Sequence, residues 1–186
     1  MKSDRSTQNL LVATALMAAI VFVTTRFIQI DLGFSRIKTG NVFCLLAGML
    51  LGGWHGGLAA GIGSMLYDLT DARYASMFYV TLINFFAMGC VCGLIAHARG
   101  ARGRNFRQNL LAAVSGQATY IALYFLSNVV QQISGNAQTV QSAAIAMLPK
   151  LGVSAINAAI AVTLSLVIAG PLMSALEKNG LLDRLS

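Results

Sequence analysis

The chain has 186 residues, 56% of them apolar and only 10% charged, with a mean hydropathy of +0.70. A soluble domain of this size needs roughly 25% charged residues to cover its surface, so lipid is the outer solvent and the length fits one integral membrane domain. The net charge of +7 does not point to nucleic acid, because the basic residues sit in short loops and termini and no stretch combines a basic face with stacking aromatics.

Six apolar spans are expected in chain order. Lys2 and Arg5 precede the first, Leu10–Phe27, as in a signal peptide. The only Ala-x-Ala near the N-terminus, Ala13 to Ala15, lies inside the apolar run rather than after it, so a retained span is expected. Ala15 and Ala19 lie four apart on one face of this span, and Ala18 widens the patch. Small residues permit the close backbone contact that holds helices together in lipid; the patch serves either packing within the chain or docking onto a partner membrane protein.

The loop that follows, Ile28–Lys38, mixes Asp31, Arg36 and Lys38 with Ile28, Ile30, Leu32, Phe34 and Ile37. Its apolar residues largely alternate, and it is long enough to form a lid. Spans 2 (Thr39–Leu51) and 3 (Gly57–Asp68) are short against the ~20 residues that cross a bilayer, so they form either a tilted pair in thinned lipid or one re-entrant hairpin. Gly52 to Gly57 between them reads as a tight turn, with Trp54 at the water–lipid boundary. Span 3 carries Gly57, Gly61 and Ser64 as a second small-residue face.

Span 4 covers Phe78–His97 and is followed by a basic loop with Arg99, Arg102, Arg104 and Arg107. Span 5 covers Asn109–Gln131. The segment Ile133–Leu148 is too long for a bare turn, and Thr139–Leu148 reads as a short amphipathic helix. Span 6 starts near Pro149 and stops at Gly170-Pro171, leaving Leu172–Ser186 as a cytoplasmic helix. The fold class is therefore an all-α, six-helix membrane bundle. Eight Lys and Arg fall on the side of the N-terminus and five on the other, Arg26, Arg36, Lys38, Arg73 and Lys150. The Arg-rich loop decides the orientation, with both termini cytoplasmic.

Polar residues then converge. Gln117, Tyr120, Tyr124, Asn128 and Gln131 form one stripe on span 5, Lys150, Ser154 and Asn157 a second on span 6, and Tyr79 and Asn84 lie in the outer half of span 4. Polar groups in lipid turn toward an interior or a watery cavity, so three helices with polar groups at one depth imply a pocket open to the outside. Hydrogen bonding between helices is the plainer alternative for any single residue. Lys150 has three readings: snorkelling to water, pairing with Asp68 or Asp71, or holding an anionic group of a substrate.

Nothing in the sequence supports catalysis. Ser64 in span 3 invites comparison with intramembrane proteases, but His55 and His97 both belong at the cytoplasmic edge, away from it. There is no Walker A sequence, so the chain does not hydrolyse ATP alone. Cys44, Cys90 and Cys92 lie within apolar runs and do not make a metal pair. No cofactor is expected.

The stretch Ile37 to Asp68 resembles spans 2 and 3 of the substrate-binding S components of energy-coupling-factor (ECF) transporters. Gly40-Asn41 opens span 2, Gly52 to Gly57 is the Gly-rich turn, Gly61-Ile62-Gly63-Ser64 follows, and Asp68 closes span 3. The length, the six spans and the pair Ala15 and Ala19 agree. The resemblance implies a prokaryotic cell-membrane protein that binds a vitamin at the outer face under the first loop. It further implies docking through span 1, on the Ala15–Ala19 face, to a transmembrane coupling protein and two ATPase subunits, with toppling of the S component to deliver the cargo. Lys2 stands where nickel and cobalt members carry His, which argues against a metal. Tyr79, Tyr120 and Tyr124 would stack on a flat heterocycle whose edges Asn84, Asn128 and Asn157 would read. A pyrimidine or pyridine vitamin or precursor is the first expectation, and a carboxylated vitamin held by Lys150 the second. A self-sufficient carrier or channel, and a structural subunit without a ligand, are the readings from other classes.

Overall fold

The computed structural model describes residues 2–31, 36–72, 74–101, 103–136 and 140–179. Among them are six helices, α1 (Lys2–Phe27), α2 (Gly40–Leu51), α3 (Gly53–Leu69), α4 (Phe78–His97), α5 (Phe106–Asn136) and α6 (Val140–Lys178). Four helical stretches are long and apolar enough to cross a membrane: Thr7–Phe27, Ala75–Gly100, Phe106–Ile133 and Met147–Lys178.

The short second span has a physical reason. Ten of the 12 residues of α2 are buried, and the helix touches α1, α3, α4, α5 and α6. A helix apolar on all sides belongs in a core, and α2 is sheathed by protein, so the lipid thickness does not set its length. Leu45, Leu46, Ala47 and Met49 are the centre of the main core cluster. The chain reverses on Gly52, whose φ of +81° suits a residue without Cβ, and α3 starts at once on Gly53. The expected six-residue turn is thus a single residue, and Trp54, largely exposed, sits on α3 with its ring edge against Phe86.

Where α2, α3 and α4 meet, glycines bring backbones into contact. A Cβ on Gly56 would lie 2.5 Å from Gly48 Cα, and one on Gly93 would lie 2.3 Å from the Gly52 carbonyl carbon. Gly57 and Gly61 press on the Phe86 and Leu82 carbonyls of α4. Ser64 faces elsewhere, its Oγ 3.7 Å from Cys44 Sγ of α2.

The all-α bundle carries one small addition: β1 (Gln29–Asp31) and β2 (Arg36–Lys38) pair antiparallel, with Ile30 opposite Ile37. The period-two alternation of the first loop is a strand pattern. Thr39 ties the base of this ribbon to α1, its hydroxyl donating to the Ile28 carbonyl at 2.6 Å. One sequence expectation needs correction, and it concerns α6. Thr139 lies outside the described residues; from Val140 on, no separate helix precedes Pro149 and nothing stops at Gly170-Pro171, because α6 runs through both Pro149 and Pro171 to Lys178. Each proline removes one helical hydrogen bond, whereas a break in an apolar medium would strand several backbone groups. Met147, fully buried, packs with Val129, Tyr124, Phe125 and Ile133 and pins the first turns of α6 to α5.

Candidate functional site: a polar cavity at the ribbon end

The short α2 also creates the site. Gly48 abuts Gly89 and Gly93 of α4. Eight residues back along each helix, Gly40 falls about level with the stretch around Asn84. α4, α5 and α6 continue beyond that level. The space above the start of α2 is a cavity of about 140 Å³ lined by Asp68, Tyr74, Met77, Val80, Thr81, Asn84, Tyr124, Ser127, Asn128, Gln131 and Lys150. It lies at the same end as the β-ribbon, whose second strand rests against α6.

Asp68, 2% exposed at the end of α3, accepts a hydrogen bond from the Thr81 hydroxyl of α4. Asn84 is buried and its Nδ2 donates to Ser127 Oγ at 3.4 Å, which joins α4 to α5. Ser127 Oγ and Asn128 Nδ2 both donate to the Tyr124 carbonyl, at 3.1 Å and 2.8 Å. The Asn128 bond uses one amide hydrogen and not Oδ1. Tyr124 forms part of the wall and stacks on Tyr120 one turn deeper, with centroids 5.9 Å apart and planes 19° apart. Tyr120 in turn packs on Phe85 at 4.7 Å. Lys150 and Asp68 line the same cavity. The arrangement offers one aromatic wall, several neutral hydrogen-bonding groups, one carboxylate and one ammonium.

Of the expected substrate residues, the structure brings Asn84, Tyr124, Asn128 and Lys150 together. Tyr120 lies beneath, as the support of Tyr124. Ser154 is buried and Asn157 half-buried, one and two turns deeper on α6 than Lys150, and neither is part of the wall. Tyr79 points away, 54% exposed with its ring against Phe78. In the expected lid, Asp31, Arg36 and Lys38 fall on the ribbon strands, and Phe34 lies outside the described residues. Ala15 and Ala19 are exposed beside Leu11, Val12 and Leu16, but Ala18 is 6% exposed and turned inward. A Cβ at Gly63 of α3 would come within 2.5 Å of the Ala18 carbonyl oxygen, so Ala18 belongs to packing between α1 and α3.

Sequence reasoning missed Thr81, Ser127, Met77, Val80 and Tyr74. Thr81 was legible, since Met77, Thr81 and Asn84 follow helical spacing on one face. Tyr74 sits in a connection, where no periodicity marks a direction.

The profile of the family described as ECF-type riboflavin transporter, S component, matches residues 5–178. No curated protein and no solved structure matches the chain significantly.

Proposed function

This chain belongs to the family of ECF-type riboflavin transporter S components, and from that premise we propose that it captures riboflavin in the polar cavity at the ribbon end. Membership makes it the substrate-binding subunit of an ECF transporter and a multi-pass membrane protein; the family is one of transporter subunits, not enzymes. The finer assignments are our own. The ribbon end faces outward and both termini face the cytoplasm of a prokaryotic cell, in line with the Arg-rich loop between α4 and α5. The working complex adds a transmembrane coupling protein and two ATPase subunits, which dock on the Ala15–Ala19 face.

The observation that carries the substrate assignment is the lining of the cavity. A flat tricyclic ring needs an aromatic wall, supplied by Tyr124, and neutral hydrogen-bonding groups for its carbonyls and ring nitrogens, supplied by Asn84, Asn128 and Ser127. The hydroxylated side chain of the vitamin suits the more polar neighbourhood of Asp68, Gln131 and Lys150. The ribbon β1–β2, carrying Asp31, Arg36 and Lys38, supplies the cover.

Titration of the purified, detergent-solubilised protein with riboflavin tests this. Saturable quenching of flavin fluorescence at one site per chain is expected, and its absence overturns the assignment. In liposomes, uptake is expected only when the coupling protein and ATPases are present; uptake by the chain alone would establish a self-sufficient carrier instead.

A further inference from the structure

The stripe on α5 continues below the cavity. Gln131, Asn128 and Tyr124 line it, Tyr120 comes next, and Gln117 lies a turn deeper, roughly 10 Å along the helix from Tyr124. Gln117 is 2% exposed, yet neither its Nε2 nor its Oε1 meets a hydrogen-bonding partner among the described residues. An amide buried with both ends unpaired is costly, and natural interiors rarely keep one without a use. The surroundings offer no relief. Ala113 and Ala112 are fully buried on the same helix, and Gly116 packs on Cys92 and the Met88 carbonyl of α4. Counting along antiparallel α5 and α6 from the Gln131–Lys150 level places Ser165 about opposite Gln117. Ser165 donates to the Val162 carbonyl of its own helix.

A second observation points the same way. At about 140 Å³ the cavity is smaller than the ~300–1,000 Å³ of small-molecule sites. A three-ring vitamin needs more room. The helices above Tyr124 already define the mouth, so the added depth must come from below, and the ring there is Tyr120.

We propose that Gln117 is the deep end of the substrate site, reading a paired donor–acceptor edge of the ligand in a space that the Tyr120 ring closes off in this structure. This rests on the riboflavin assignment. The pyrimidinedione ring of a flavin presents an N–H flanked by carbonyls. Gln117 Oε1 accepts from that N–H while Nε2 donates to one neighbouring carbonyl, so both unpaired atoms are satisfied together. Tyr120 turns aside to admit the ring and stays stacked against it.

The test compares riboflavin with N3-methylriboflavin, which lacks that N–H, on the unaltered protein and on Gln117→Leu. The unaltered protein should prefer riboflavin about tenfold or more. Gln117→Leu should bind riboflavin about 10- to 100-fold more weakly and lose the preference. Unchanged riboflavin affinity in Gln117→Leu, with a raised melting temperature, overturns the proposal and makes Gln117 an unpaired packing residue. If the leucine variant does not fold, equal affinity of the unaltered protein for the two flavins overturns it. Failure of the unaltered protein to bind riboflavin sinks the substrate assignment and this proposal with it, whereas binding without discrimination sinks this proposal alone.

Discussion

Asn128 and Tyr79 show how one residue's direction decides its role. Both are polar, both lie near the ribbon end, and both suit a ring-binding site by composition. Asn128 faces the cavity with its Nδ2 tethered to the Tyr124 carbonyl, so its amide is held before a ligand arrives. Such preorganisation reduces the entropy lost on binding. Tyr79 sits on the outside of α4 with its ring against Phe78. Asn128→Leu should therefore weaken riboflavin binding by about 1–3 kcal/mol, the cost of losing a buried hydrogen bond. Tyr79→Leu should leave affinity within about twofold, because surface changes away from a site fall within ~0.5 kcal/mol. Fluorescence titration of both variants checks the pair. Equal loss would return Tyr79 to the site; no loss in either would remove Asn128.

At the scale of elements, what holds the site in place is the contact of α2, α3 and α4. In lipid the hydrophobic effect does not drive helices together, so tight packing must do so. Gly93 is the sharpest point of that seam, and even one methyl group there would meet the Gly52 backbone. Gly93→Ala should lower stability by about 1–3 kcal/mol as an overpacking substitution. Gly152 on α6 has open space around its missing Cβ, so Gly152→Ala should be neutral or stabilising by up to ~1 kcal/mol through helix propensity. Thermal unfolding in detergent separates them, and similar melting temperatures for both variants would dissolve the seam argument. The existence of the six helices was legible because each apolar run is bounded by charge or glycine, and α4 matches its expected span from Phe78 to His97. Spans 2 and 3 were harder. Composition shows that α2 is apolar all round, yet only contacts show that protein rather than lipid surrounds it. The ends of α6 were misread because Pro149 and Pro171 are breakers in water, while the cost of unpaired backbone in lipid overrides them. Half of the expected substrate residues line the cavity. The stripes fixed which face of α5 turns inward, but the depth at which α2 stops, and so where the hollow lies, is a property of packing.

At the scale of the whole molecule, the two ends and one flank have different chemistry. The ribbon end holds the polar cavity. The other end is basic, with Arg104 paired to Glu177 at 3.2 Å between the start of α5 and the end of α6. The flank is α1, where Leu11, Val12, Leu16 and Val23 are exposed around Ala15 and Ala19. Exposed apolar residues are unremarkable in lipid, but a pair of alanines among larger side chains leaves a shallow groove that another helix can enter closely. Ala18, turned toward Gly63 of α3, belongs to the opposite face of the same helix. These two faces give separable predictions. Ala15→Trp and Ala19→Trp fill the outer groove without touching the core, so riboflavin affinity and melting temperature should hold while ATP-driven uptake by the reconstituted transporter falls at least tenfold. Ala18→Trp intrudes between α1 and α3, so its melting temperature and binding should fall together. Uptake at the unaltered rate by both outer variants would move the docking surface off α1. Loss of binding in step with uptake would mean that the groove supports the fold of this subunit rather than its assembly with the coupling protein.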